Sequence, residues 1–202
     1  MEEPKRHVIN LDALPKMYPT HSHEPIFWES LGRVVATFGF LEETLTKAIF
    51  AFTGTKPYSE EEVQKALDNW ERKLQKALSD QLCNLIDTYG KAVREHPDAT
   101  ISNLDKLLEQ LKEASKMRNV ICHGSWRTPN SEGASVPFFV NRQQEKFDTA
   151  IDVDYLLQLQ KSVSELICAV IDTVTHMGWQ FPGSSGPGRI IWESQDHRSD
   201  LR

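Results

Sequence analysis

The sequence predicts an all-α fold, a four-helix bundle with a small β-hairpin inserted before the last long helix. Two observations predict it. Apolar residues recur at spacings of three and four through most of the 202 residues. One turn-rich stretch, Thr128 to Gly133, interrupts that rhythm and is followed by two short segments of β-forming residues.

Residues 1–24 hold Pro4, Pro15 and Pro19 with few clustered apolar side chains, and are expected to form an irregular arm. Pro25 suits the first turn of a helix. Its core-facing stripe is Phe27, Leu31, Val34, Val35, Phe38, Leu41, Leu45, Ile49 and Phe52, with Gly54 and Pro57 as its end. Gly32 and Gly39, two turns apart, share a face and are expected to admit a close helix neighbour. Ser59 to Glu62 offers a capping box. The helix that follows carries Val63, Leu67, Trp70, Leu74, Leu78, Leu82, Leu85 and Ile86 and is expected to stop near Gly90.

After a connector at His96-Pro97-Asp98, a third helix begins between Thr100 and Asn103 and ends at His123, with Gly124 as its stop signal. Short strands are expected over 136–142 and 146–151, giving the hairpin at about 136–151. Asp152 or Asp154 caps the fourth helix, which ends at Gly178. The helical domain therefore spans 25–178, and 179–202, with its Gly-Ser-Pro run, is expected to be a flexible tail.

Hydrophobic residues at 39% and charged residues at 26% allow a substantial core, to which five Trp and nine Phe contribute. The formal charge of −6, from 23 Lys and Arg against 29 Asp and Glu, argues against a protein that coats nucleic acid by bulk positive charge. A local basic cleft remains compatible with it. Cys83, Cys122 and Cys168 are scattered within apolar helical patterns, and are expected to be small buried hydrophobes in a reducing compartment. No apolar run approaches the ~20 residues of a membrane span, and since Met1 to Arg6 lead into no apolar stretch, a secretory signal is not expected. A cytoplasmic protein without membrane attachment is the expectation.

One stretch is hard to explain by packing: Arg118-Asn119-Val120-Ile121-Cys122-His123, at the end of an otherwise ordinary amphipathic helix. Asn119 and His123, four apart, share a face. Arg118 and His123, five apart, project about 140° from each other. On that spacing a single helix brings them together poorly, and a second copy packed across a two-fold axis would place each Arg118 near the partner's motif. The residue types suit phosphodiester chemistry. A His takes and returns a proton near neutrality, an Arg offers a permanently charged fork to phosphate oxygens, and an Asn can orient either. For His123 the alternative is a helix-capping His, and for Arg118 a salt bridge to Glu42 or Glu43.

The motif, its placement on the third long helix and its continuation Gly124-Ser125-Trp126 resemble the HEPN superfamily (higher eukaryotes and prokaryotes nucleotide-binding). Phe38-Gly39-Phe40-Leu41-Glu42-Glu43 is similar to that family's opening helix, and the resemblance in layout covers residues 26–178. It implies a HEPN-like bundle, a homodimer through the motif-bearing helix, and a metal-independent endoribonuclease without cofactor. Such proteins are often toxins or anti-phage effectors, with an antitoxin or defence-complex protein as partner. The implied catalytic residues are Arg118, Asn119 and His123. Lys112, Lys116, Trp126, Arg127 and Arg142 are candidates for contacting RNA, and Glu42 and Glu43 for supporting Arg118. The alternative function is a non-catalytic HEPN scaffold that binds a nucleotide or a protein. His21 and His23 have ligand-like spacing but no second cluster, so no metal site is expected.

Overall fold

The structure, a computed structural model, describes residues 6–65 and 81–184. Among them it is mainly helical: α1 (Pro25–Gly54), α2 (Leu82–Glu95), α3 (Leu104–His123) and α4 (Val153–Thr175), preceded by a single 3₁₀ turn at Leu11–Ala13. Residues 60–65 are also helical. No helix among the described residues is long and apolar enough to cross a membrane. The chain divides into two compact units, Met1–Val35 with Arg118–Gln160, and Ala36–Met117 with Lys161–Arg202.

The core of the larger unit follows the predicted periodicity. Phe38, Leu41, Leu45, Ile49 and Phe52 of α1 are buried, as are Leu85, Ile86, Tyr89 and Val93 of α2. Leu104, Leu107, Leu108 and Leu111 of α3 and Val163, Ile167, Val170 and Val174 of α4 complete it. Removing each such side chain from water contributes about 1.5–3 kcal/mol. Tyr89 is fully buried and hydrogen-bonds Thr173 at 2.9 Å, so its hydroxyl keeps a partner inside this core. Burial pushes the Tyr89 phenol up from 10.0 to about 12.

Several expectations are corrected. The helix expected to run from Ser59 to near Gly90 is interrupted: Gln81 is extended, and a helix begins anew at Leu82 and continues through Gly90 to Glu95. Gly90 is buried, and a Cβ there would lie 2.7 Å from Leu108 Cδ1, so it serves the close approach of α3 rather than helix termination. Gly32 and Gly39 are the reverse case: both face solvent, and a methyl group on either would meet no atom within 4 Å. They do share a face, but it is the outer one, where Phe40 is 51% and Val35 41% exposed. Leu67, Trp70, Leu74 and Leu78 lie outside the described residues.

The capping box at Ser59 is half formed. Glu62 accepts from the Ser59 backbone N–H at 3.1 Å and from its hydroxyl at 2.8 Å, which holds the carboxyl below its usual range. The start of the expected tail is packed, not loose. Trp179 sits edge-on to Phe52 and His96, with centroids 5.9 and 5.0 Å away, and Phe181 is buried. The three cysteines are exposed rather than buried.

In the smaller unit, Phe27, Val34, Val120, Ile121, Ala134, Ile151 and Leu156 form the apolar core. The strands expected at 136–142 and 146–151 are reduced to isolated antiparallel bridges: Ser125 with Phe138, Ser135 with Ile151, and Val140 with Lys146. Pro137 has no N–H to extend a ladder, and each segment divides its pairing among different partners. Asn141 organises the turn between Val140 and Lys146, its side-chain oxygen accepting from the N–H groups of Gln143 and Glu145. Of the two candidate caps for α4, Asp152 takes the role, accepting from Tyr155 N at 2.7 Å.

Between pH 10 and 12 an unfolded chain releases the tyrosine proton that folded Tyr89 keeps, so Tyr89 lowers stability as pH rises across that window. The denaturation midpoint of the wild type is expected to fall more steeply over this range than that of Tyr89→Phe. Parallel midpoints measured by circular dichroism would contradict the assignment.

Candidate functional site

The end of α3 is built around Gly124. Its N–H continues the helix by donating to Val120 O at 2.8 Å, yet it does not take the left-handed conformation of a glycine helix stop. A Cβ on Gly124 would fall 2.6 Å from Val120 O and 2.9 Å from Pro137 Cβ. The glycine is therefore required by close approach, a reason different from the stop signal expected of it. Immediately beyond, Ser125 and Phe138 exchange both backbone hydrogen bonds, at 3.0 and 2.8 Å.

That pair sets which side chains turn inward. Side chains alternate along an extended segment. Trp126 turns in, its ring edge-on to Phe27 at 4.9 Å and to His23 at 6.3 Å. Ser125 and Arg127 turn out. His23 lies in the same aromatic cluster, stacked on Phe27 at 4.2 Å, 9% exposed, with Nε2 2.9 Å from Ser135 Oγ. Burial lowers its pKa from the ordinary 6.5. Trp28, also in contact with His23, donates from Nε1 to Thr20 O at 2.8 Å. The arm before α1 is thus tied to the segment that follows the motif.

The motif residues themselves lie at the surface. Asn119, Cys122 and His123 are exposed and Arg118 is half-buried. Arg118 Nη1 comes within 3.5 Å of His123 Nε2 in the same chain. The expectation that five-residue spacing keeps these groups apart unless a second copy intervenes is corrected. The 140° separation applies to the Cβ directions, and a guanidinium on a long flexible stem spans it. Since guanidinium only donates, a hydrogen bond here uses the Nε2 lone pair, in the tautomer that carries its proton on Nδ1. At 3.5 Å the bond is at the long limit.

The other candidates separate. Lys112 is held by Asp87 at 2.8 Å, which raises its ammonium pKa, and Lys116 by Glu113 at 2.6 Å. Both line a groove of about 400 Å³ in which Asp87, Asp105, Glu109 and Glu113 face Arg94, Lys112 and Lys116, so it is mixed in charge, not a basic rim. Trp126 is engaged in packing. Arg142 is exposed in the Asn141 turn. Arg127 is exposed with its guanidinium 5.1 Å from the centre of the Phe138 ring. Glu43 pairs with Lys47 at 2.6 Å, and half-buried Glu42 accepts at its carbonyl from Thr46. Phe138 is a residue that sequence reasoning missed. The neighbouring Phe139 gave no sign of which ring would face outward. Among the described residues, no group of three His, Cys, Asp or Glu is placed to hold a metal ion.

No family model, no curated protein and no solved structure matches the chain.

Gly124→Ala is expected to lower stability by about 1–3 kcal/mol, because backbone must move to admit the methyl group. Chemical denaturation measures this, and an unchanged midpoint would disprove the close-approach argument. Below pH 6.5 the unfolded chain takes up a proton before buried His23 does, so His23 makes stability fall as pH falls. Wild type should lose more of its melting temperature than His23→Gln on going from neutral to acidic buffer; equal losses would remove His23 as the cause.

Proposed function

We propose that the protein is a metal-independent endoribonuclease of the HEPN type, with Arg118, Asn119 and His123 as its working residues. The observation that carries the reading is the approach of Arg118 Nη1 to His123 Nε2, at a surface-exposed helix end. A base and a permanent cation side by side are what transfer within an RNA phosphodiester needs. His123 Nε2 takes the proton of a ribose 2′-hydroxyl as that oxygen attacks the adjacent phosphorus. The guanidinium of Arg118, leaving the imidazole, binds the non-bridging oxygens as charge builds on them. The bond to the 5′-oxygen breaks, and the imidazolium returns its proton to that oxygen. The products are a 2′,3′-cyclic phosphate and a 5′-hydroxyl. Asn119, one turn before His123, orients the ring or a phosphate oxygen.

The four-helix HEPN bundle and a homodimer through α3 belong to this proposal, as do a cytoplasmic location, a toxin or anti-phage role and an antitoxin partner. Because Arg118 and His123 meet within one chain, the homodimer is no longer needed to bring them together. A second reading, a non-catalytic scaffold that binds a protein, draws on the arm before α1. There Val8, Ile9, Leu11, Met17 and Tyr18 all expose apolar surface.

The deciding experiment incubates purified protein with RNA in EDTA. Wild type is expected to cut, while His123→Ala and Arg118→Ala each lose about 100-fold or more of the rate. The cut ends should carry the cyclic phosphate. No cleavage by the wild type, or equal cleavage by the variants, sinks the nuclease reading. A sizing column run on active protein tests the dimer separately: an active monomer removes the homodimer and leaves the Arg–His pair standing.

A further inference from the structure

Phe138 carries an inference that goes beyond the catalytic residues. It is 54% exposed, although it sits in backbone whose geometry is fixed by two hydrogen bonds to Ser125. Directly paired residues of an antiparallel bridge present their side chains on one face, and Arg127, two residues past Ser125, returns to that face. Its guanidinium lies 5.1 Å from the Phe138 ring centre. The result is an aromatic ring and a planar cation held together at the surface, while the intervening Trp126 is spent on packing against Phe27.

Position and charge say what this pair receives. His123 is two residues from Ser125, so its Cα lies no more than ~13 Å from that of Phe138. The cation set against the ring, Arg127, and the cation at the helix end, Arg118, both lie on the segment that runs from α3 into the bridge. An exposed ring for an apolar protein partner needs no cation beside it, whereas a polyanion with flat, stackable groups is served by both. We propose that Phe138 and Arg127 seat an unstacked nucleobase of single-stranded RNA, next to the phosphodiester held at Arg118 and His123. The ring supplies the stacking surface, and the guanidinium stacks or bonds to the adjoining phosphate. This inference rests on the ribonuclease reading and adds a base seat beside the proposed cleavage point, formed by residues outside the motif; only a splayed base can reach the ring.

The test uses the full-length chain with His123→Ala, so that the probe survives, and a single-stranded oligoribonucleotide carrying 2-aminopurine. Binding is expected to quench the fluorescence, because the base stacks. Adding Phe138→Leu, which keeps apolar bulk but removes the π face, should weaken binding about tenfold and abolish the quench. Adding Phe138→Trp should preserve both, and duplex RNA should compete poorly. Unchanged affinity and quenching in the folded Phe138→Leu protein overturn the seat and leave the ring as a protein contact. Wild type that cuts nothing in EDTA, combined with Phe138-dependent quenching, ends the nuclease reading and supports the seat. Cleavage with unchanged KM in Phe138→Leu does the opposite. An absence of any RNA binding overturns both.

Discussion

The geometry of the candidate site depends on a close approach at Gly124. A side chain at this position would collide with the carbonyl of Val120 on one side and Pro137 on the other. With hydrogen in its place, α3 keeps its last hydrogen bond, and the chain passes directly into the Ser125–Phe138 bridge. That bridge has the force of a register. It leaves His123 at the helix end, turns Trp126 inward to Phe27 and His23, and turns Arg127 and Phe138 outward. Loops placed this tightly behave more like scaffold than like connection, and residues that contact ligands are best carried on such rigid backbone.

The helical plan was legible because burial imposes a period of three to four, and the residues of α1, α2, α3 and α4 obey it. Boundaries were legible where a single residue sets them chemically, as Pro25 and Asp152 do. Glycines were not. Gly90, Gly32 and Gly39 look alike in sequence, yet one is pressed against Leu108 and the others face solvent. What distinguishes them is the identity of the neighbour across space, which periodicity on one helix does not encode. The same holds for Cys122, whose apolar flanks suggest a core position although Val120 and Ile121 alone turn inward there. The expected strands failed for a related reason. Val136 to Arg142 has β-forming composition, but Pro137 and competing partners leave only isolated bridges.

Charge illustrates the difference between composition and field. A net −6 describes the chain as a whole, and Lys112 and Lys116 fit that description, since each is matched by an acid on its own surface. Such exposed pairs contribute little to stability and present no net attraction to a polyanion. Arg127 differs, because its guanidinium lies against a ring, 5.1 Å from the centre of Phe138. A count of cations along the sequence puts all three in one class. Only their neighbours in space separate them.

The Arg118–His123 contact changes what a second copy would have to provide. By Cβ direction alone, one helix combines the two residues poorly, and a second copy across a two-fold axis does so better. In the structure the flexible Arg stem closes the gap, and one chain supplies both a cation and a base. An arginine that donates to the imidazole lone pair also occupies that ring nitrogen. Under the proposed ribonuclease reading a phosphate would have to separate the pair, and it is suited to do so, since its two non-bridging oxygens offer a guanidinium better acceptors than a ring nitrogen.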